Sequence, residues 1–407
     1  MRKNIEQQKL FIQALISRGE ILSFLGNNDR ALDDANRAEE YASGIKDPLL
    51  TGHSLYLKSK IFAAAAKYEE MRRVVLKADK MYRKADNLAG QAECLHQIAY
   101  IYDHSGQFDK AHEYYLKTLE LQKSVNNISG QGYIYINRGT MYDSRGKFKE
   151  ALNSYKEAMR LLKKAGDLYG QAYCLNNMGF IRNAMGDRQS AYDYYTKAYK
   201  LFKKIGEAFG QSMCMNNIGN TLSKMGRFNE AESYFKDAAI IQERTNDLHG
   251  LSYSYNNLGR IYLKRNKPEL CLEYLLKAMK LREKINDSYA CMLSYYSVGN
   301  MYNRTGRIKE AIALLKKSLN LSEDLKVPGY YISASANLGK ILVLSNMVDE
   351  GISYYRRSLK KAIETQANDK VQQVAEAIRS IISDHRDILS SHGIKKLEEL
   401  LIYAEGK

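Results

Sequence analysis

Set out in rows of forty from residue 11, the chain aligns with itself through residue 370 without a gap, giving nine rows. A period held that strictly means one supersecondary unit copied and stacked, because each copy lacks enough core to fold alone. One column reads Gly19, Ser59, Ala99, Gly139, Gly179, Gly219, Gly259, Gly299 and Gly339. A second reads Ala31, Met71, Ala111, Ala151, Ala191, Ala231, Cys271, Ala311 and Gly351, with Met71 the large exception. Small side chains at constant spacing on two faces are what closely crossing helices need, since larger ones push the axes apart.

The apolar residues around these columns follow a helical period. Leu175, Met178, Gly179 and Arg182 of one row answer to Tyr255, Leu258, Gly259 and Tyr262 of another, and Ala151, Tyr155, Ala158 and Met159 to Ala191, Tyr195, Ala198 and Tyr199. Spacing at i, i+3, i+4 and i+7 places one buried stripe on each helix, so the unit is a helical hairpin and the chain is all-α.

Turn chemistry agrees independently. Gly26, Gly106, Gly146, Gly186, Gly226, Asn266, Gly306 and Asn346 share a column between first and second helices, and Asp86, Asn126, Gly166, Gly206, Asn246 and Asn286 share one between units. Both suit the left-handed residue that ends a helix. Asp47, Asn87, Asn127, Asp167, Asp247 and Asp287 follow as N-caps. Pro48 and Pro328 come directly after that column and Pro268 lies two residues past Asn266, near first helical turns. Residues 371–407 keep the helical pattern without the small columns, as a terminal cap should, with helices expected over 371–388 and 394–404. The expected organisation is nine hairpins over 1–370, the first with an N-terminal extension, then capping helices over 371–407, in one continuous solenoid.

Composition narrows the functional classes. With 45% hydrophobic and 27% charged residues and only three prolines, the chain is not disordered. Five cysteines form no CxxC pair, and their odd number and wide spacing fit neither a disulfide framework nor a zinc site. Glu6, Gln7, Gln8 and Lys9 interrupt any signal-peptide core, and no stretch approaches the roughly 18 apolar residues of a membrane span. A reducing, cytoplasmic setting without membrane insertion is therefore expected.

The columns resemble those of the tetratricopeptide repeat: Leu95, Ala99 and Tyr102 with Ala111 and Tyr115, then Tyr135, Gly139 and Tyr142 with Ala151, Tyr155 and Ala158. The unit is longer than the standard 34 residues by about six and lacks the Trp and helix-ending Pro. Segments such as Asn256 to Tyr262 look like the forty-residue units of spindle-orientation scaffolds, kinesin light chains and bacterial regulators. The resemblance implies a right-handed superhelical solenoid whose first helices line a concave groove for extended peptides.

A second stripe beside the buried one should face that groove; in the fifth row it holds Tyr173, Asn176, Asn177 and Phe180. One of its columns reads Gln97, Asn137, Asn177, Asn217, Asn257, Ser297 and Asn337, similar to the asparagine that clamps ligand backbone in peptide-binding members. An amide donates and accepts, so it can pair with any peptide bond. Asn176, Asn216 and Asn256 form the neighbouring column, and Asn220 joins the same candidate set. Such amides could equally bridge adjacent helices, because asparagine is a poor helix former and some interaction must retain it. Tyr173 and Tyr253 are candidate aromatic anchors, with Tyr133 and Tyr296 beside them.

Charge on the stripe changes along the chain, from Glu93, Asp103 and Asp143 to Lys224, Arg260, Lys264, Arg304 and Lys340. An acidic ligand segment would lie toward the C-terminal half; ordinary solvated charge is the alternative. The net charge of +16 would also attract nucleic acid. Pairs such as Lys163 and Lys164, or Lys203 and Lys204, instead sit near second-helix ends, where the helix dipole favours cations.

No P-loop, dinucleotide fingerprint, HExxH, GxSxG or paired Cys/His set occurs. No enzyme activity, metal or cofactor is therefore expected. The expected function is a scaffold for a protein or extended peptide, or a sensory module in which ligand binding controls an effector domain or partner.

Overall fold

The computed structural model describes residues 2–386 and 389–405, with side chains from residue 4. Among the described residues there are twenty helices and no strand. Contacts divide the chain into two compact units, 1–205 and 206–407. The first contains the hairpins α1 (Arg2–Phe24) with α2 (Asn28–Gly44), α3 (Pro48–Ala64) with α4 (Tyr68–Lys84), α5 (Leu88–His104) with α6 (Phe108–Ser124), α7 (Ile128–Ser144) with α8 (Phe148–Ala165), and α9 (Leu168–Ala184) with α10 (Arg188–Lys204). The second contains α11 (Ala208–Lys224) with α12 (Phe228–Arg244), α13 (Leu248–Lys264) with α14 (Pro268–Lys284), α15 (Ser288–Arg304) with α16 (Ile308–Asp324), and α17 (Pro328–Leu344) with α18 (Val348–Glu364), followed by α19 (Asn368–Asp384) and α20 (Ser391–Glu405). Within each unit a hairpin packs on the next, and first helices also touch, as α7 does α9 and α11 does α13.

Helix ends follow the turn columns. Every Gly and Asn of the within-hairpin column, and the whole between-unit column from Asp86 to Asn286, adopts positive φ. The same geometry holds at Lys46, Ala66, Lys326 and Gln366, whose φ lies between 53° and 55°, although these residue types do not favour it. Stacked neighbours leave the chain no other path, and the cost of about 1–2 kcal/mol per residue is borne by the packing. The turn after α9 shows the pattern: Gly186 N–H donates to Asn183 O at 3.1 Å and Asp187 N–H to Arg182 O at 2.9 Å.

Starts are equally regular. Asp47 accepts from the Leu49 and Leu50 amides at 3.1 Å, and Asn127, Asp167 and Asp247 each accept from the glycine amide three residues on at 2.8 Å. Asn87 and Asp287 cap in the same way, and all three prolines open helices. Glu207, absent from the sequence-derived column, caps α11 through the Phe209 and Gly210 amides.

The glycine column is explained by the ring it meets. A Cβ on Gly139 would lie 2.6 Å from the ring of Tyr155, one on Gly179 2.9 Å from Tyr195, and one on Gly219 2.7 Å from Phe235. These three first helices rest their backbones on an aromatic side chain of their own second helix, and those rings are fully buried, whereas Leu275 and Leu315 take that place against Gly259 and Gly299. Met71 is buried beside Leu55, Val75 and Ala78.

The C-terminal helices differ in extent from expectation. α19 starts at Asn368 because the turn geometry recurs at Gln366, and it ends at Asp384; α20 begins at Ser391. The expected first helix ran on to Ile388, which lies outside the described residues. Val374, Ile378, Ile381, Leu397 and Leu400 close this end with a shared core.

Candidate functional site

In the first unit the candidate amides mostly serve the protein itself. The Asn137 side chain on α7 donates to Nε2 of His96 on α5, and burial holds that imidazole well below its ordinary titration range. Asn177 is half-buried, with its Oδ1 3.5 Å from Nδ2 of Asn176. Tyr173 is exposed and Tyr133 half-buried. The acidic side chains are constrained too. Glu93 accepts from the Tyr56 hydroxyl at 2.8 Å, and burial pushes the carboxyls of Asp103 and Asp143 upward.

The structure corrects the reading of Asn176 and Asn216 as ligand contacts. Their exposures are 7% and 4%, so both side chains are buried. Asn216 accepts from the Ser254 hydroxyl at 3.0 Å, and the Gln242 amide lies 2.6 Å from that hydroxyl. This is the helix-bridging role. Asn337 does likewise, donating to the Tyr296 hydroxyl at 3.1 Å and to Asn300 Oδ1 at 2.8 Å.

A different arrangement occurs between α13 and α15 in the second unit, around a cavity of about 620 Å³. Sequence-derived candidates line it from two helices: Tyr253, Asn256, Asn257 and Arg260 from α13, and Tyr296, Ser297 and Arg304 from α15. Asn220 of α11 reaches the rim by donating to the Tyr253 hydroxyl at 2.8 Å. Arg260, Lys264 and Arg304 are exposed and have no carboxylate in ion-pair reach among the described residues. Lys264 lies on the same helix without lining the cavity; Lys224 and Asn217 belong to α11 and also stand outside it.

Several cavity residues escaped the sequence reading, among them Tyr289, Asn300 and Tyr330, and the most informative is a buried cation. Arg282, on second helix α14, is 6% exposed and lines the same space. Its column elsewhere reads Ala42, Tyr82, Gln122, Leu162, Phe202, Gln242, Ser322 and Ala362. A lone charge in a column otherwise apolar or neutral was the available signal. Burial pulls the guanidinium below its ordinary value, opposed chiefly by the Asp287 carboxylate. Asn257 is 2% exposed and its Nδ2 has no hydrogen-bond partner among the described residues.

No grouping of three or more His, Cys, Asp or Glu suited to a metal occurs among the described residues. No helix among them is long and apolar enough to cross a membrane.

The fold and this first-helix face define an all-α repeat solenoid of helical hairpins. Two family profiles, both described as tetratricopeptide repeat, match the chain, one over 171–244, 211–284 and 251–324 and the other over 91–129 and 133–165. The chain belongs to the tetratricopeptide repeat family. Among solved structures it is similar to a STAND signal-transduction ATPase with a tetratricopeptide repeat sensor from Pyrococcus horikoshii, with TM-score 0.60 and 16% identity over 84% of this chain and 55% of that one. It is similar to aspartyl phosphate phosphatase F from Bacillus subtilis, with TM-score 0.55 and 14% identity over 86% and 93% of the two chains. It also resembles a Rap protein complexed with competence and sporulation factor, with TM-score 0.53 and 13% identity over 87% and 97%. At these identities the likeness establishes the fold. No curated protein matches in sequence.

Proposed function

We propose that the chain is a non-enzymatic scaffold that holds a protein or extended peptide on its first-helix face, with the α13–α15 cavity as the principal anchor point. The observation that carries this is the convergence of Tyr253, Asn256, Asn257, Arg260 and Arg304 on one space of about 620 Å³. That size falls in the range of pockets that bury most of a compact ligand. Aromatic bodies supply contact area there, amides supply backbone-directed hydrogen bonds, and unpaired cations favour an acidic segment. Nucleic acid fits less well, since this recess holds a few cations rather than a long basic track. The five cysteines, all buried and unpaired, suit a reducing, cytoplasmic setting.

A sensory or regulatory role is the second reading, favoured by the likeness to a protein named for its tetratricopeptide repeat sensor. It requires two states that the ligand distinguishes, so small-angle scattering should then change on binding.

Selection of peptides from a random display library on the immobilised chain, counter-screened with a Tyr253→Ala, Arg260→Glu double variant, tests the scaffold reading. The expected result is a set of peptides that bind the native chain and lose most affinity for the variant. Enrichment of no peptide sensitive to these changes would remove the cavity as the anchor.

A further inference from the structure

A groove of about 640 Å³, open to solvent, runs between second helices α8 and α10 with α9 as its floor. Its apolar lining is Met159 of α8, Leu175 and Met178 of α9, and Leu201 of α10. Leu175 and Met178 stand two residues, or about 200° around α9, from the exposed Tyr173 and Phe180 respectively, so this is not the first-helix face. Four exposed lysines rim the groove, Lys156 and Lys163 from α8 and Lys197 and Lys200 from α10, and no carboxylate is among its described lining residues. Glu157 and Asp193, beside these lysines in sequence, are engaged by Arg160 at 3.0 Å and Gln189 at 3.1 Å. Among the described residues none of the four lysines has a carboxylate in ion-pair reach.

The forty-residue period supplies internal comparisons. At the corresponding place between α4 and α6, a cavity of about 540 Å³ is lined by Asp79, Arg83, Lys117 and Glu120, two charges of each sign. There Arg83 pairs with Asp79 at 2.8 Å and Lys117 with Glu113 at 2.6 Å. In later hairpins the place is bridged. Tyr255 and Tyr295, in the column of Leu175, donate to Glu243 and Glu283, in the column of Lys163, at 2.5 and 2.8 Å. Lys277, in the column of Lys197, pairs with Glu273 at 2.7 Å. Between α8 and α10 the same positions leave an open apolar floor between unpaired cations. Like charges repel, so the stacking of hairpins gives no reason for them. The helix dipole favours Lys163 but not Lys156 and Lys197, which stand in mid-helix.

We infer that this groove docks an acidic amphipathic helix of a partner protein, with its apolar stripe on Met159, Leu175 and Leu201 and carboxylates on both flanks facing the lysines. A helix carries polar residues on both sides of an apolar stripe, whereas a strand turns them to its far face. Lys156 and Lys163 lie two turns, or about 10 Å, apart along α8, a spacing that carboxylates on a partner helix match. A flat bilayer would leave the floor empty, and a small amphiphile would need its tail enclosed. The groove is a second docking surface, built on second helices and independent of the α13–α15 cavity.

Fluorescence anisotropy with the full chain tests this, using three labelled synthetic peptides. One has a leucine stripe flanked by glutamates, one has glutamine in place of each glutamate, and one scrambles the first so that the stripe is lost. The acidic striped peptide should bind at least ~tenfold more tightly than either control, and more weakly as salt rises. Lys163→Glu with Lys200→Glu should abolish the difference. Leu175→Tyr with Lys163→Glu, which copies the Tyr255–Glu243 bridge, should abolish it too without lowering the melting temperature. Lys156→Gln with Lys197→Gln changes exposed residues alone and should weaken binding whether or not the bridged variant folds. Equal binding of the striped and scrambled peptides, or undiminished binding by the lysine variants, overturns the inference. So does loss of binding in the Tyr253→Ala, Arg260→Glu variant, which would put the probe on the first-helix face. Retention on phosphatidylserine vesicles without peptide binding would assign the groove to lipid, and self-association abolished by Lys163→Glu with Lys200→Glu would assign it to a second copy; both overturn it. None of these results removes the α13–α15 cavity as an anchor, which the display selection tests separately.

Discussion

Gly139 and Gly329 show how far the same residue type can differ in meaning along one chain. A Cβ at Gly139 would enter the ring of Tyr155 at 2.6 Å, whereas one at Gly329 meets nothing within 4 Å. Overpacking of a closed contact costs about 1–3 kcal/mol, and the helix preference of alanine over glycine returns about 1 kcal/mol. Gly139→Ala is therefore expected to lower stability by up to about 2 kcal/mol. Gly329→Ala, in the first turn of α17, should leave it unchanged or raise it by up to about 1 kcal/mol. Urea denaturation of the two variants checks both signs, and equal effects would mean that the ring contact does not set the column.

At the scale of elements, the bond between Asn137 of α7 and His96 of α5 ties one hairpin to the next. The His96 ring accepts there and is held neutral by burial, so its folded pKa lies below the unfolded value of about 6.5. The unfolded chain then binds more protons as pH falls through that value, and stability drops toward the lower folded pKa. Burial depresses His53 and His112 in the same sense, so the native chain alone does not isolate the effect. The difference between native chain and His96→Gln does, because glutamine does not titrate. Thermal unfolding followed by circular dichroism between about pH 7.5 and 5.5 should show the native chain losing more stability than the variant. Parallel curves would assign the loss elsewhere.

For the molecule as a whole, the thiols report how completely stacking closes each unit. Cys94, Cys174, Cys214 and Cys271 are fully buried and Cys291 nearly so. Burial pushes Cys174 and Cys214 up to about 12 and Cys271 up to about 11, so the reactive thiolate is scarce as well as hidden. A thiol-specific chromogenic reagent at about pH 8 should label none of the five rapidly in the native chain and all five in denaturant. Rapid native labelling of any one would locate a hairpin that opens.

The hairpins, their caps and their turns were legible because a forty-residue period repeats each local signal, so that Asp47 and Asp247 or Gly106 and Gly306 corroborate one another. The open stripe on the first helices was legible for the same reason, down to Tyr253, Asn256 and Arg260. Only tertiary packing decided which amides were already engaged: Asn137 by His96, Asn216 by Ser254, Asn337 by Tyr296 and Asn300. Those partners come from neighbouring hairpins, and no pattern along a single helix specifies them. Packing also brought Arg282 of a second helix and Asn257 of a first helix to the lining of one cavity. Hydrophobic periodicity is a property of one element, whereas an unsatisfied donor is a property of everything around it, and the stacked hairpins alone set those surroundings.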